Sequence, residues 1–372
     1  MKKERLLYLL DRFKANECTD QEAQELNEWY TELKVDAGEE QPPVDELFTR
    51  FQQRVQKRGK RKPFYWKAAA AVAVLTCGFL FFNKKPGEKV MTPTMLSAKI
   101  LPGKSSAVMT LSDGTTVNLD DKQMSNIATQ AGILISSAEK GQVRYNGVQR
   151  SVADGSQMAY NSIRIPKGGQ FKVVLPDGTK VWINSESELR FPVTANGKNR
   201  SVWLKGEAYF EVAHNKNLPF LVHTADQQVQ VLGTHFNIKA YADDASVTTT
   251  LLEGSVNIRK LSSGQSVRLA PGQQSVTNSS QKGIAVSAIE VDQAIAWKNG
   301  YFLFDNQDIK GVMKAISRWY DVEVIYKDVT DAERFGGTFS RNADLLEILN
   351  NLQELSNLHF QVKERKIIVS QK

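Results

Sequence analysis

A single uncharged stretch divides this chain of 372 residues into two parts of different character. Fifteen residues without a charge, AAAAVAVLTCGFLFF, follow Lys67. As a helix they reach about 22 Å, which is short of a hydrocarbon core of roughly 30 Å. Phe64 and its two aromatic neighbours lengthen the apolar segment, and Lys67 can extend its ammonium group towards the headgroups. The sequence therefore predicts one transmembrane helix over residues 64–82, with interface anchors at Tyr65, Trp66 and Lys67.

Three other interpretations of this stretch fit less well. A cleaved signal peptide would not follow about sixty mostly polar residues, and no small-residue cleavage site comes after the stretch. A buried core helix does not account for four consecutive alanines, the run FLFF and a dense basic cluster at one end. An interfacial helix would need a charged face, which residues 68–82 lack.

Charge is distributed unevenly around the predicted span. Residues 1–49 carry 13 acidic against 6 basic side chains, whereas residues 50–67 carry eight basic and no acidic ones. Cytoplasmic flanks of membrane spans carry an excess of Lys and Arg, so the N-terminus is predicted to be cytoplasmic and the C-terminus periplasmic. The basic run abuts an apolar segment and lacks interleaved aromatic residues, so direct nucleic-acid binding is not predicted.

Residues 1–62 have the spacing of short amphipathic helices. Leucines 6, 7, 9 and 10 begin the first helix, a capping-box pattern from Thr19 to Glu22 opens the second, and the third follows Pro42-Pro43. A small all-α domain is therefore predicted. A domain of this size buries little apolar surface alone, so its stripes are candidates for docking on a partner. Packing of the stripes on one another is an equal alternative.

The region after the predicted span changes to short alternating strands. The segments LSDGTTVNL and LPDGTKVWI are near-copies, each with an Asp-Gly pair between alternating apolar residues, which indicates a β-hairpin. Residues 83–160 are predicted to form a linker and β-rich lead-in. Residues 161–275 are predicted to form an all-β sandwich or roll, because turn signals recur every ten or so residues.

Residues 296–372 carry a different pattern. The pattern predicts strands at WKNGYFLFDN, DVEVIY and FGGTFS, and amphipathic helices at DIKGVMKAISRWY and ADLLEILNNLQELSN. It predicts a closing hairpin at LHFQVKERKIIVS. A strand-helix-strand unit used twice predicts a small α+β domain. The whole chain is thus expected to be multi-domain.

The sequence carries no pattern for catalysis or metal binding. The two cysteines, Cys18 and Cys77, form no C-x-x-C pair, and the four histidines have no ligand spacing. Asp113 and Asp177 have a sufficient role in Asp-Gly turns. Glu207 and its neighbour four residues on, Glu211, are assigned structural roles on one strand. The prediction is a protein that is not an enzyme and uses no cofactor.

The exported sequence resembles FecR-type anti-sigma factors. The resemblance is carried by IPKGGQFKVVLPDGTKVWINSESELRFP, GEAYFEVAHNKNLPFLV, VLGTHFNIKAYADD, TLLEGSV and LAPGQQ, which lie within residues 165–274. The segments WKNGYFLFDN, VMKAISRWYDVEVIY and FGGTFS resemble the extra C-terminal domain of one group of these proteins. Residues 1–62 match the family in helical character and aromatic pattern only.

The resemblance implies a relay across the inner membrane. The cytoplasmic domain would bind an extracytoplasmic-function sigma factor, and the exported region would receive a signal from the periplasmic signalling domain of a TonB-dependent outer-membrane receptor. The sigma-binding candidates are Leu6, Leu10, Trp29 and Tyr30. The candidates for the receptor-signal region are Trp297, Phe302, Phe304, Trp319 and Tyr320. The alternative is a membrane-anchored periplasmic module that binds a glycan or polymer, although a mere stalk would not need capped, amphipathic helices before the span.

Overall fold

A computed structural model describes most of the chain from residue 100 onwards. It covers residues 100–120, 126–130, 132–139, 141–146, 158–193, 199–278, 281–330 and 333–372. These residues belong to one compact unit. No helix among them is both long and apolar enough to cross a membrane. The predicted helical domain and span lie outside the described residues, together with their candidates Leu6, Leu10, Trp29, Tyr30, Tyr65, Trp66 and Lys67.

Nineteen strands between residues 104 and 288 make up the first part of the described structure. In chain order these are β1 (Lys104–Ser105), β2 (Ala107–Thr110), β3 (Thr116–Leu119), β4 (Ala128–Gln130), β5 (Ile133–Glu139), β6 (Gln142–Asn146), β7 (Tyr160–Ile165), β8 (Gly169–Val174), β9 (Lys180–Ile183) and β10 (Ser187–Pro192). The series continues with β11 (Arg200–Glu211), β12 (Phe220–His223), β13 (Gln227–Val231), β14 (His235–Ala240), β15 (Val247–Glu253), β16 (Val256–Lys260), β17 (Ser266–Leu269), β18 (Gln273–Thr277) and β19 (Ile284–Ala288).

Eighteen of these strands form two sheets that face each other across one core, and β1 pairs in parallel with the start of β8. The first sheet has the order β3-β2-β7-β10-β11-β12-β13-β16-β17. The second has the order β4-β5-β6-β8-β9-β11-β14-β15-β18-β19. Inward residues of both sheets share one apolar cluster, for example Ile163 and Val229 from the first and Val181 and Phe236 from the second. The predicted all-β architecture is confirmed.

Strand β11 belongs to both sheets. Its first half pairs with β10 and β12, and its second half pairs with β9 and β14. The change occurs at Gly206, which has a φ of +91°, and a Cβ there would lie 2.2 Å from the hydroxyl of Ser187. Only glycine fits both the positive φ and this close approach.

Both predicted Asp-Gly hairpins are present. They connect β2 to β3 and β8 to β9, and Gly114 and Gly178 both have a φ of +86°. Asp113 accepts a hydrogen bond from the amide two residues on at 2.9 Å, and Asp177 does the same at 3.0 Å. Asp177 also forms a 3.0 Å ion pair with Arg200, so the two copies differ in their tertiary contacts.

The C-terminal part contains every element that the sequence predicts for it. The short helix α1 (Val291–Ile295) leads into β20 (Tyr301–Asp308), α2 (Ile309–Tyr320), β21 (Glu323–Lys327), β22 (Arg334–Ser340), α3 (Leu345–Glu354), β23 (Leu358–Lys363) and β24 (Lys366–Gln371). Strand β20 pairs with β22, and β24 lies between β21 and β23.

The two longer helices begin at aspartates that cap them. The carboxylate of Asp308 accepts a hydrogen bond from the amide of Gly311 at 2.6 Å, and Asp344 accepts one from the amide of Leu346 at 2.9 Å. The apolar faces of α2 and α3 pack with the strands in a second core, separate from that of the sandwich. The predicted α+β elements therefore pack around a core of their own within the one compact unit.

Candidate functional site: the junction between the sandwich and the C-terminal domain

One row of side chains crosses the outer face of the second sheet. Strand register aligns one residue from each of seven adjacent strands, β6, β8, β9, β11, β14, β15 and β18: Gln142, Lys172, Trp182, Tyr209, Asn237, Thr250 and Gln274. Their chain neighbours Val173, Val181 and Phe210 point into the core, so the row lies on the opposite face. Every member is polar or aromatic, which is the composition of a surface that meets a polar partner or a ligand.

The C-terminal domain packs against this face through a buried hydrogen-bond network. The carboxylate of Glu207 is 8% exposed and accepts hydrogen bonds from the side-chain amides of Asn184 at 2.8 Å and Asn237 at 3.0 Å. The indole N–H of Trp297 donates to the Asn237 side-chain oxygen at 3.3 Å. Glu207 therefore holds two amides in the orientation that the C-terminal part contacts.

Arg318 forms the first of two connections, which we name the acidic anchor. Its guanidinium Nη2 lies 2.5 Å from Asp243 and 3.4 Å from Asp244, and its Nε donates to Glu186 at 3.3 Å. The same group lies 3.6 Å from the centre of the Tyr241 ring. Arg318 comes from α2 and its four partners from the sandwich, so the anchor joins the two domains.

Further contacts surround the acidic anchor. The Lys314 ammonium lies 3.0 Å from the carboxylate of Asp244 and also donates to the carbonyl of Asp243. The amide of Gly168 donates to the carbonyl of Arg318 at 2.7 Å. A Cβ on Gly103 would lie 2.6 Å from the indole ring of Trp319, so the two domains approach closely here.

Arg341 forms the second connection, the amide anchor. Its guanidinium donates to the side-chain oxygen of Asn184 at 3.1 Å, to the Trp297 carbonyl at 3.0 Å and to the side-chain oxygen of Gln170 at 3.3 Å. It stacks over the Trp319 ring at 3.7 Å. Its hydrogen-bond acceptors are neutral, and it is 3% exposed.

The two anchors shift the pKa of their arginines in opposite directions. Burial by itself lowers the pKa of Arg318, but attraction by Tyr241, Asp244 and Asp243 outweighs it, and the pKa is raised. Burial lowers the pKa of Arg341 to about 10, and attraction by Tyr241 and other acidic groups offsets only part of this effect. Both guanidinium groups are charged at neutral pH. Only the guanidinium of Arg318 has carboxylates as hydrogen-bond acceptors, and these balance its charge.

Two cavities flank Trp297 along the row. The larger one, about 280 Å³, lies between the sandwich and the C-terminal domain and includes Glu207, Asn237 and Arg341 in its lining. The smaller one, about 250 Å³, is lined by Lys172, Trp182 and Lys298 among others. Trp297 lines both cavities, so movement of this side chain would change both.

All five aromatic residues predicted for the receptor-signal region are buried: Trp297, Phe302, Phe304, Trp319 and Tyr320. The last four pack in the core of the C-terminal domain. None presents its ring on the surface of the described residues, so a direct contact between these rings and a receptor has no support in the fold. Their assignment to a signal-receiving region stays a prediction, and Trp297 and Trp319 have specific positions at the junction.

Sequence reasoning missed the two anchors. Arg318 lies on the polar face of α2, opposite Ile316 and the other apolar residues, where a charged side chain is ordinary and gives no signal. Arg341 follows a strand and gives no signal either. Glu207 was noticed and assigned a structural role, and its hydrogen bonds now define that role. Among the described residues, no cluster of three or more His, Cys, Asp or Glu side chains is arranged to hold a metal ion.

Comparisons with known proteins agree with this architecture. Residues 161–257 match the family model described as FecR protein, and residues 301–369 match the model described as FecR, C-terminal. Two crystal structures of a candidate anti-sigma factor from Parabacteroides distasonis ATCC 8503 are similar, each with 28% sequence identity and a TM-score of 0.54. In each, the match covers 57% of this chain and 99% of the other. No curated protein matches the sequence. By its two matched domains and these structural relatives, the chain is a FecR-type anti-sigma factor with the additional C-terminal domain.

Proposed function

We propose that this chain holds an extracytoplasmic-function sigma factor at the inner membrane and releases it when a TonB-dependent outer-membrane receptor signals. Residues 1–62 bind the sigma factor in the cytoplasm, residues 64–82 cross the membrane, and the region from residue 83 onwards receives the signal in the periplasm. The observation that carries the proposal is the pair of FecR matches, at residues 161–257 and 301–369, in the order that the two domains follow in the chain.

The charge and hydropathy of the N-terminal part support the sigma-binding step. Residues 1–49 carry an excess of acidic side chains, which would attract the basic DNA-binding surfaces of a sigma factor. Apolar helix stripes with Leu6, Leu10, Trp29 and Tyr30 would supply the buried contact.

The junction between the two described domains supports the signal-receiving step. Arg318 and Arg341 fix the C-terminal domain to the sandwich. A partner that binds either domain would therefore move both together. A receptor domain could thus change the position of the whole exported region through a contact at one end of it.

Co-purification from cells tests the sigma-binding step. Full-length protein with an affinity tag at its C-terminus is expected to recover a sigma factor, and a variant with Trp29→Ala and Tyr30→Ala is expected to recover much less. The matched control is Tyr326→Ala, an exposed tyrosine on β21. Absence of any sigma factor from the wild-type sample would refute the proposal.

Release by regulated cleavage near the span is the preferred hypothesis for the last step, since one helix transmits a subtle conformational change poorly. Tags at both ends of the chain, followed by blotting during induction, test it. Loss of the full-length band with appearance of two fragments is expected. Persistence of the full-length protein during induction would exclude cleavage.

A membrane-anchored module that binds a glycan or polymer is the second candidate function. The two cavities beside the row of polar and aromatic side chains favour it, because aromatic faces and amide groups together bind hydroxylated ligands. The co-purification experiment separates the two functions, since an anchored binding module has no reason to recover a sigma factor.

A further inference from the structure

We propose that the smaller cavity binds a compact anionic molecule that carries a carboxylate or phosphate group. The cavity lies where the segment between α1 and β20 crosses the row on the second sheet. The inference concerns Lys172, Trp182 and Lys298, and it does not depend on whether the chain binds a sigma factor.

Two ammonium groups lie on one aromatic ring in this cavity. The Nζ atoms of Lys172 and Lys298 are each 4.6 Å from the centre of the Trp182 ring, and that of Lys298 is also 4.7 Å from the centre of the Tyr209 ring. Both lysines line the same cavity, so an anion held there would be attracted to two ammonium groups at once.

Carboxylates of the same sheet face do not supply this counter-charge. Strand β11 places Glu207 and Glu211 on the face that carries the row. Glu207 is held by two asparagine amides, and Glu211 pairs with Lys180 at 3.2 Å. Among the described residues, neither Lys172 nor Lys298 forms an ion pair with a carboxylate.

The rest of the lining offers hydrogen-bond donors and an apolar face. The hydroxyl of Ser105 is buried and has no hydrogen-bond partner in the described part of the chain. Gln170 accepts a hydrogen bond from Arg341 with its oxygen, which leaves its NH₂ group to donate. The Trp182 ring can cover the apolar side of a small ring or chain. This set of groups fits an anion with an organic body, such as a sugar acid or a phosphorylated polyol.

The size of the cavity limits the ligand. Its volume of about 250 Å³ is slightly below the range of typical ligand pockets, roughly 300 to 1,000 Å³. A compact molecule fits, and a folded domain does not. Because Lys172 belongs to the sandwich and Lys298 to the segment leading into the C-terminal domain, one ligand would contact both and hold the adjacent Trp297 in place.

Calorimetric titration of the purified full-length protein tests the proposal. The probes are D-glucuronate, inorganic phosphate and the neutral counterpart D-glucose. The test variant is Lys172→Gln with Lys298→Gln, and the matched control is Lys205→Gln, an exposed lysine of β11 outside both cavities. We expect at least one anion to bind wild type and the control equally, to bind the double variant at least about tenfold more weakly, and to bind less tightly as salt is raised.

The pattern across the probes identifies the charged group. Binding of glucuronate alone indicates a carboxylate ligand, and binding of phosphate alone indicates a phosphate ligand. The proposal is wrong if neither anion binds wild type, if glucose binds as tightly as the anions, or if the double variant keeps wild-type affinity. Circular dichroism checks its folding, and the two single variants carry the same test if the double variant is unfolded.

Discussion

The acidic anchor and the amide anchor join the same two domains with different chemistry. Arg318 and Arg341 are almost equally buried, at 5% and 3% exposed. Arg318 meets three carboxylates, two of which, Asp243 and Glu186, are about half exposed. Arg341 donates to three neutral oxygens, those of the Asn184 and Gln170 side chains and of the Trp297 carbonyl, and all three residues are buried or partly buried.

The two connections respond differently to salt and to pH. A charge pair that reaches solvent is weakened by salt and by acid, whereas hydrogen bonds to buried amides and carbonyls are not. The acidic anchor is therefore the connection that changing conditions can loosen. We expect the amide anchor to keep the C-terminal domain in place under the same conditions.

Charge reversal at the acidic anchor should have the largest effect. Arg318→Glu places a further carboxylate beside Asp243, Asp244 and Glu186, so we expect the free energy of unfolding of the C-terminal domain to fall by about 3–5 kcal/mol. Urea unfolding, with hydrogen exchange of α2 as the local readout, measures it. Lys363→Glu, an exposed change on β23, is the control, and an equal loss in both variants would contradict the prediction.

Loss of the amide anchor should cost less. Arg341→Met leaves the oxygen of Asn184 and the carbonyl of Trp297 without their donor, but it also removes a charge that is buried without a carboxylate. We expect a loss of about 2–3 kcal/mol in the same unfolding assay. The matched control is Arg164→Met, whose exposed pair with Glu188 is worth about 1 kcal/mol or less. A larger loss than in Arg318→Glu would reverse our ranking of the two anchors.

Acid should loosen the acidic anchor selectively. Burial by itself raises the pKa of Asp244, but attraction by Lys239, Lys314 and Arg318 outweighs it, and the pKa lies below its ordinary value. A carboxyl with a lowered folded pKa contributes stability that is present above the unfolded pKa, about 3.9, and is lost as pH falls through the folded value.

Hydrogen exchange of α2 at neutral pH and below pH 4 measures this loss. We expect protection to decrease in acid in the wild type, and the pH dependence to be reduced in Asp244→Asn. The Arg341→Met variant should keep the wild-type pH dependence. An unchanged pH profile in Asp244→Asn would show that Asp244 does not carry the effect.

The smallest effect is expected from one hydrogen bond next to the amide anchor. Trp297→Phe removes the indole donor to Asn237, a long bond at 3.3 Å, and keeps an aromatic ring between the cavities. The expected loss is about 1 kcal/mol or less by urea unfolding. Trp297→Ala, which also removes the ring, should cost clearly more, and equal losses would mean that the ring contributes no packing.

Local patterns predicted the elements of the C-terminal domain correctly. Helices α2 and α3 follow the apolar spacing of their sequences, and each begins where an aspartate can cap it. The Asp-Gly pairs at residues 113–114 and 177–178 predicted two hairpins, because a turn that needs a positive φ selects glycine. These features depend on residues within a few positions of one another.

The residues that join the two domains could not be predicted from the sequence. The five aromatic residues chosen as signal-region candidates are buried, because large aromatic side chains in an amphipathic pattern more often fill a core than face a partner. Arg318 lies 75 residues from its partner Asp243. Spacing along the chain does not show which distant strand or turn a helix will meet.

The order of the parts can be read from the amino-acid sequence: an acidic N-terminal region, an apolar stretch, a β-rich region with Asp-Gly turns, and an α+β domain, with the motifs of the FecR family. That Lys172, Trp182, Tyr209 and Asn237 form one row, and that two arginines hold a domain beside it, became visible only in the fold. Pairing between strands far apart in the chain sets which side chains share a face, and a slip of one residue would turn each of them to the core.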